Sequence, residues 1–532
     1  MNTSPSVAQP LNPPETLCLN AITGEMMNQS LLHTRDDLAT AMASARRAAA
    51  IWRETPIKER RKALLPVRRY LMKNLDELAK TIARDTGKTR VDAMATEVLT
   101  ATLALGYYSR KAPAFLKPKR LFPGTLPLAN KWSTIHRTPF GVVGIISPWN
   151  YPFSIPFSEV IMALLAGNAV ILKTASETQA TGLALARCLE EANLPEGLFT
   201  FINMPGREAG DAFLEAGVDK LFFTGSVPIG KKLMAKAAET LTPVSLELGG
   251  NDAMIVCEDA DLDRAAAGAV WAGLQHAGQS CGAVERIYVH DAVYDAFLEK
   301  LKTRVETLRV GYDTNHNTDV GGITTSRQLD TVRRHVDDAL ERGATLYAQA
   351  NSPRDTLEGN FYPPTVLTDV NHTMQVMKEE TFGPLLGVMR VLSMDEAVKL
   401  ANDSNLGLTG SIWTQNIKEG KSLARRIEAG AITINDHLIS HGQPETPWGG
   451  FKESGIGRTH GALGFDEMTE PQLVVSDIFW FAKRNLWWHP FSEKVYKALK
   501  GVAQMLYGPG PLKRITGTFH MLRAFPRIFK SD

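Results

Sequence analysis

Glu247-Leu248-Gly249-Gly250-Asn251 and Gly278-Gln279-Ser280-Cys281-Gly282 are two glycine-set motifs, each carrying one reactive side chain. A strand-like apolar run from Ala253 to Cys257, an acidic turn around Asp259 to Asp263 and an Ala-rich helical segment separate them. A carboxylate and a thiol can therefore meet across one cleft. Glycine beside a reactive group tolerates unusual dihedrals and lets a ligand approach closely. A thiol with a pKa of about 8.5 needs only modest electrostatic help to be partly thiolate near neutrality. A neighbouring Glu can act as base, toward the thiol or toward a water. Taken singly, each residue has a plainer reading, Cys281 as a small buried hydrophobe and Glu247 as a surface charge.

The stretches upstream supply a setting. Phe140 to Ile146 is a β-like run ending in Ser147-Pro148-Trp149-Asn150-Tyr151-Pro152-Phe153, whose prolines force a turn directly after the strand. An Asn amide placed there can donate to a developing alkoxide, although such a motif can equally be a packed turn. Ala169 to Leu172 is a buried-strand candidate, with Lys173 at its carboxyl end, where open α/β sheets bind ligands. Leu221 to Thr224 is a further strand, and Gly225-Ser226-Val227-Pro228-Ile229-Gly230 opens a helix with Lys231 and Lys232 in its early turns. Glycines at a strand-to-helix junction let backbone N–H groups and the helix dipole face a pyrophosphate, though this spacing is not the usual dinucleotide fingerprint. The next strand, Pro243 to Leu248, delivers Glu247.

The ordered pair Glu247-Leu248-Gly249-Gly250 and Gly278-Gln279-x-Cys281, with Glu247 and Cys281 34 positions apart, resembles the aldehyde dehydrogenase superfamily. Glu379-Glu380-Thr381-Phe382-Gly383-Pro384, Gly430-Ala431-Ile432-Thr433-Ile434-Asn435 and Pro447-Trp448-Gly449-Gly450-Phe451-Lys452-Glu453-Ser454-Gly455 extend the resemblance, which runs from about residue 20 to about residue 475. It implies an α/β fold in which a doubly wound dinucleotide-binding domain (16–119 and 141–250) precedes an α/β catalytic domain (251–465). A small β arm that builds homodimers or homotetramers (120–140 and 466–477) is also implied. Residues 1–15 are expected to be a mobile arm and 478–532 a basic amphipathic extension.

The same resemblance implies Cys281 as nucleophile, Glu247 as base, and Asn150 with the Cys281 N–H as oxyanion hole. It implies NAD or NADP as cofactor, with Lys173 on the adenosine ribose, Glu380 on the nicotinamide ribose and Phe382 supporting the ring. Ser147, Trp149, Leu248, Gly225, Ser226 and Gly230 join the cofactor contacts, as do Gly206 and Gly210, which lie with Ala209 in a stretch read as a loop. One departure bears on cofactor choice. The common family pattern is Lys-Pro-small-Glu, whereas this chain reads Lys173-Thr174-Ala175-Ser176-Glu177. Ser176 stands where NAD-preferring members often hold both ribose hydroxyls with a carboxylate, and Glu177 can restore one, so NAD and NADP both stay open. His437, His441 and His460 show no metal spacing, and no metal is expected.

A chain of 532 residues needs two or more domains, and a formal charge of +2 gives no reason to expect nucleic acid. Cys18, Cys188, Cys257 and Cys281 have neither metal-like nor disulfide-like spacing, which fits a reducing compartment. The cytoplasm is expected. Residues 478–532 differ in composition: ten Lys or Arg face Glu493 and Asp532, a formal +8, amid Phe479, Trp480, Phe481, Trp487 and Trp488. Phe491, Val495, Leu499, Val502 and Leu506 recur at helical steps, as do Leu512, Ile515, Phe519, Leu522 and Phe529, with Gly508 to Pro511 between the two series. Such helices suit peripheral contact with a membrane surface, or packing on the enzyme or a partner subunit.

The reading is oxidation of an aldehyde to a carboxylic acid through a cysteine thiohemiacetal and thioester, with a medium- or long-chain aliphatic or an aromatic aldehyde favoured. Succinate semialdehyde, acyl transfer to coenzyme A and a catalytically idle protein on the same fold are the alternatives.

Overall fold

A computed structural model describes residues 14–125, 128–351 and 359–530; all but the last two residues of the expected amino-terminal arm lie outside them. The chain divides into two units, one from residues 1–115 and 139–470 and one from residues 116–138 and 471–532.

Two sheets organise the larger unit. The first runs Gly455–Ile456, Val244–Glu247, Lys220–Thr224, Val142–Ile146, Ala169–Lys173, Phe199–Phe201. All its pairings are parallel except that of Gly455–Ile456 with Val244–Glu247. Its inner strands are buried throughout and mostly apolar because helices cover both faces of a parallel sheet. From Val142–Ile146 the chain moves outward through Ala169–Lys173 and Phe199–Phe201, then crosses back to place Lys220–Thr224 on the other side of the first strand. That reversal opens a crevice beyond the carboxyl ends of Val142–Ile146 and Lys220–Thr224, where doubly wound sheets take ligands.

The second sheet runs Thr345–Gln349, Thr365–Thr368, Leu385–Val391, Val284–His290, Asp252–Val256, Thr409–Trp413, Ala431–Ile434, with only the first strand antiparallel. Helix Ser154–Ala166 is buried on every side, which its almost wholly apolar sequence permits. Ile57 to Thr86, apolar at helical spacing, forms three helices, Ile57–Ala63, Leu65–Lys73 and Leu75–Thr86. Pro66 sits at the start of the second, where its missing N–H costs nothing, and Asn74 leaves helical geometry before the third.

The smaller unit holds a three-stranded sheet ordered Thr469–Asp477, Lys131–Pro139, Lys119–Leu121, and two helices, Glu493–Tyr507 and Pro511–Ala524. Ser492 caps the first helix, so Phe491 lies outside it, and Gly508 and Gly510 separate the pair. No helix among the described residues is long and apolar enough to cross a membrane.

Candidate active site

The two glycine-set motifs meet. A Cβ on Gly250 would stand 2.1 Å from the Cys281 carbonyl oxygen, so only glycine permits this approach. Glu247 ends its strand, and Gly225 N donates to its carbonyl at 3.0 Å. The closing motif folds over it: Leu248 N donates to Ser454 O at 2.9 Å, Ser454 Oγ donates to Gly249 O at 2.6 Å, and a Cβ on Gly449 would lie 3.0 Å from Glu247 Oε1. Cys281 follows a strained turn in which His276 and Ala277 hold φ of 50° and 51° and Gly278 70°. Such left-handed residues other than glycine cost about 1–3 kcal/mol each, held here by the packing around them.

One cavity of about 250 Å³ is lined by Trp149, Asn150, Gly225, Ser226, Glu247, Leu248, Cys281, Glu380 and Phe382, among others. Asn150 is fixed by donation from Nδ2 to Gln279 O at 3.1 Å. That leaves the second N–H of the amide for another acceptor. Burial, and after it the carboxylates of Glu380, Asp252 and Glu247, push the Cys281 thiol up, while its own backbone N–H acts in the opposite sense. Burial also raises Glu247 well above the usual carboxylate range; Glu159 adds to this and Arg458 opposes it. Neither Glu247 carboxyl oxygen has a protein partner.

The region suits a dinucleotide. Lys173 is buried at the end of its strand, half-buried Ser176 and exposed Glu177 start the next turn, and a Cβ on Gly206 would stand 3.6 Å from Lys173 Nζ. Ser147 Oγ and Thr224 Oγ1 are buried without partners. Glu380 accepts from Gly250 N at 3.0 Å, and Phe382 meets Trp149 edge to face at 5.4 Å. One expectation is corrected: Gly206, Ala209 and Gly210 are not in a loop but in helix Gly206–Glu215, after Pro205. Gly210 serves close packing there, since a Cβ would fall 2.2 Å from Leu233 Cδ2. Gly230 similarly admits the Leu248 side chain, 2.6 Å from where its Cβ would be. Lys231 and Lys232 pair with Glu453 at 2.7 Å and Asp211 at 3.1 Å.

Several contributors carry no local motif. Glu285 accepts from Thr381 N and Phe382 N at 2.9 and 2.7 Å, so it sets the segment bearing Glu380 and Phe382. Arg286 donates to Asn251 O at 2.9 Å, and His437 bonds Gly282 O at 3.0 Å through Nε2. Glu159, on the buried helix, lines a small cavity with Glu247, Cys281, His441 and His460, and burial pushes its pKa up to about 8. Among the described residues, no group of three His, Cys, Asp or Glu is arranged for a metal.

A second chamber of about 150 Å³ opens on Cys281 and is lined by Ala95, Thr96, Thr100, Tyr151, Trp271, Gln275, Leu438, Ile439, His441 and Trp448. None of these side chains is a cation near neutrality, because burial, and then Lys88, lowers His441 to about 4. Lys88 itself lies 3.9 Å from the Tyr151 ring centre and is bound to buried Glu97.

Comparison with known proteins gives the family. The aldehyde dehydrogenase family model matches residues 12–474. The chain is 41% identical to a 4,4'-diapolycopene aldehyde oxidase from Methylomonas sp, across 88% of this chain and 86% of the other. It is 40% identical to a putative succinate-semialdehyde dehydrogenase [NADP(+)] from Mycolicibacterium smegmatis, across 85% and 87%. The crystal structure of a betaine aldehyde dehydrogenase point mutant from Staphylococcus aureus in complex with NAD+ is similar, with a TM-score of 0.83 at 29% identity, covering 90% of this chain and 96% of that one. The chain belongs to the aldehyde dehydrogenase family and is an NAD(P)-dependent aldehyde dehydrogenase.

Proposed function

We propose that the enzyme oxidises an uncharged, apolar aldehyde, medium- or long-chain aliphatic or aromatic, to its carboxylic acid. The observation that carries this is the second chamber, whose walls at Cys281 are apolar, aromatic or neutral. A carboxylate-bearing substrate such as succinate semialdehyde would be buried there without a partner charge, at a cost that only an ion pair offsets. Lys88 is already committed to Glu97. The relatives' names divide on the point, one being a diapolycopene aldehyde oxidase and another a succinate-semialdehyde dehydrogenase.

The Sγ of Cys281 bonds to the aldehyde carbon, its thiol proton passing to solvent, directly or by way of Glu247, which is again a carboxylate before the water step. Asn150 Nδ2 and the Cys281 N–H hold the resulting oxyanion. NAD(P)+, when bound, supplies the hydride acceptor, and loss of hydride from that carbon leaves a thioester on Cys281. Glu247 takes a proton from a water that adds to the thioester, and the C–S bond breaks to release the acid. Retention of this Glu favours water over coenzyme A as acyl acceptor. Lys173, Ser176 and Glu177 would hold the adenosine ribose, and Ser147, Trp149 and Leu248 would flank the cofactor. Gly206, Gly225 and Ser226 would approach the phosphates, while Glu380 and Phe382 would hold the nicotinamide end. Ser176 in place of a carboxylate removes one obstacle to a 2′-phosphate, so both NAD+ and NADP+ are expected to be used. The arm strand Thr469–Asp477 exposes Leu473, Val474 and Val475, which supports a homodimer or homotetramer built through it.

The deciding experiment is kcat/KM for aldehydes from short aliphatic through long-chain and aromatic to succinate semialdehyde, with NAD+ and with NADP+. A rise of about tenfold or more along the apolar series is expected, since each methylene fitted into an apolar pocket is worth about tenfold or more. Preference for succinate semialdehyde would overturn the substrate reading and leave the chemistry standing.

Glu159 should tune the base. Only the carboxylate form of Glu247 can take a proton, so a raised pKa moves the ascending limb of kcat to higher pH. Removing the Glu159 charge in Glu159→Gln withdraws one of the contributions that raise Glu247. The limb should shift to lower pH, and an unmoved limb would show that the two carboxyls do not couple.

A further inference from the structure

The two helices Glu493–Tyr507 and Pro511–Ala524 are packed inside out. Small residues bring their backbones together: Ala498 and Ala524 are buried, and a Cβ on Gly501 would stand 2.5 Å from Gly517 O, with Leu486, Val495 and Val502 filling the space beside them. Most of the other large side chains face away. On the second helix Leu512, Ile515, Phe519 and Leu522 fall on the side opposite Gly517 and Ala524 and are 80%, 66%, 54% and 55% exposed. Phe525 and Phe529 continue that ridge, and Phe529 stacks on Phe481 at 5.9 Å, closing the start of the segment onto its end.

Cations share the helix with the ridge. Arg523 flanks it, 4.8 Å from the Phe519 ring centre, Lys513 and Arg514 stand in the first turn with Arg514 Nε donating to Gly508 O at 3.0 Å, and Glu493, the one acidic residue described between 478 and 530, pairs with Lys497. Trp480, Trp487 and Trp488, in the same segment, are exposed. We propose that this hairpin docks on the surface of an anionic lipid bilayer, with the Leu512–Leu522 ridge in the acyl boundary and the Lys and Arg side chains among the headgroups. Apolar ridge, flanking cations and exposed tryptophan are together what an interfacial helix requires. Helices of 15 and 14 residues span about 21–23 Å at 1.5 Å per residue, short of the ~30 Å hydrocarbon core, so the hairpin lies in the interface and does not cross it. A second copy is a poorer occupant, because it would bring another segment of formal charge +8 against the first. The inference is independent of the substrate reading.

Flotation of the full chain with phosphatidylcholine vesicles, with and without phosphatidylglycerol, tests it. The chain should partition onto the anionic vesicles about tenfold or more above the neutral ones, and high salt should weaken this. The double variant Ile515→Glu/Phe519→Glu should lose binding about tenfold or more. Both positions are exposed, so its melting temperature and its turnover of a short soluble aldehyde should match the parent. The variant Lys513→Glu/Arg523→Glu should lose the preference for anionic lipid. Absence of flotation with either vesicle, or equal flotation by Ile515→Glu/Phe519→Glu, overturns the proposal. So does a halved solution mass in that variant, which would assign the ridge to a second copy.

Discussion

Glu247→Gln should lower steady-state kcat by about 10²–10⁴-fold, the range a positioned general base contributes, while leaving a burst of reduced cofactor. The burst follows from the division of labour: attack by Cys281 and loss of hydride precede the step that needs a base for water. The substitution is nearly isosteric, and neither carboxyl oxygen holds a protein hydrogen bond that the amide would break. The site should therefore keep its shape, and hydroxylamine, which attacks a thioester without a base, should restore turnover. Loss of the burst would move Glu247 to the thiol step, and an unaffected steady-state rate would remove it from the mechanism. In the parent enzyme kcat should climb as pH rises through the elevated range in which Glu247 ionises.

The two halves of this site differ in how they can be read. Glu247 and Cys281 announce themselves because their chemistry needs close backbone approach, and close approach needs glycine. Gly250 meets the Cys281 carbonyl at a separation no Cβ would survive, and Gly449, at a φ of 145°, closes over the Glu247 carboxyl with only 3.0 Å for a Cβ. The sheet beneath them is legible for a related reason, since parallel strands covered on both faces leave apolar runs such as Val142–Ile146 and Ala169 to Leu172. Glu159, Glu285, Arg286 and Arg458 leave no such mark. Each is a charged residue within an ordinary helix, strand or turn, and what it does depends on burial against a distant part of the chain.

The stretch Gly206 to Gly210, expected as a loop, is helical, and Pro205 before it and Glu208 in the first turn are its helix-start signals. In the carboxyl-terminal segment the helical spacing gave the right elements, but periodicity cannot say whether an apolar stripe faces a neighbour or solvent. Gly501 and Gly517 decide that, because two glycines in contact draw the helix backbones together and leave the larger side chains outside.

Asn150→Ala should lower kcat/KM by about 10²–10³-fold, as removal of one oxyanion donor does elsewhere. The geometry makes the amide well suited to the role. One of its N–H groups is spent on Gln279 O, and Gln279 is locked in turn by donation to His276 O at 3.0 Å and by acceptance from Thr324 N at 3.0 Å. The remaining N–H is thus aimed by a buried framework and needs no reorganisation when negative charge develops. Substitution also strands the Gln279 carbonyl, a loss of about 1–3 kcal/mol of stability that would lower the melting temperature without touching the chemistry. Two readouts separate these effects. Alkylation of Cys281 by iodoacetamide, which forms no oxyanion, should proceed at near the parental rate, whereas the pre-steady-state rate of cofactor reduction should fall with kcat/KM. If alkylation slows in parallel, the substitution has disordered the nucleophile's turn. If kcat/KM stays near the parental value, the oxyanion is held by the Cys281 N–H without Asn150, and the Asn150–Gln279 bond is a packing feature of the cleft.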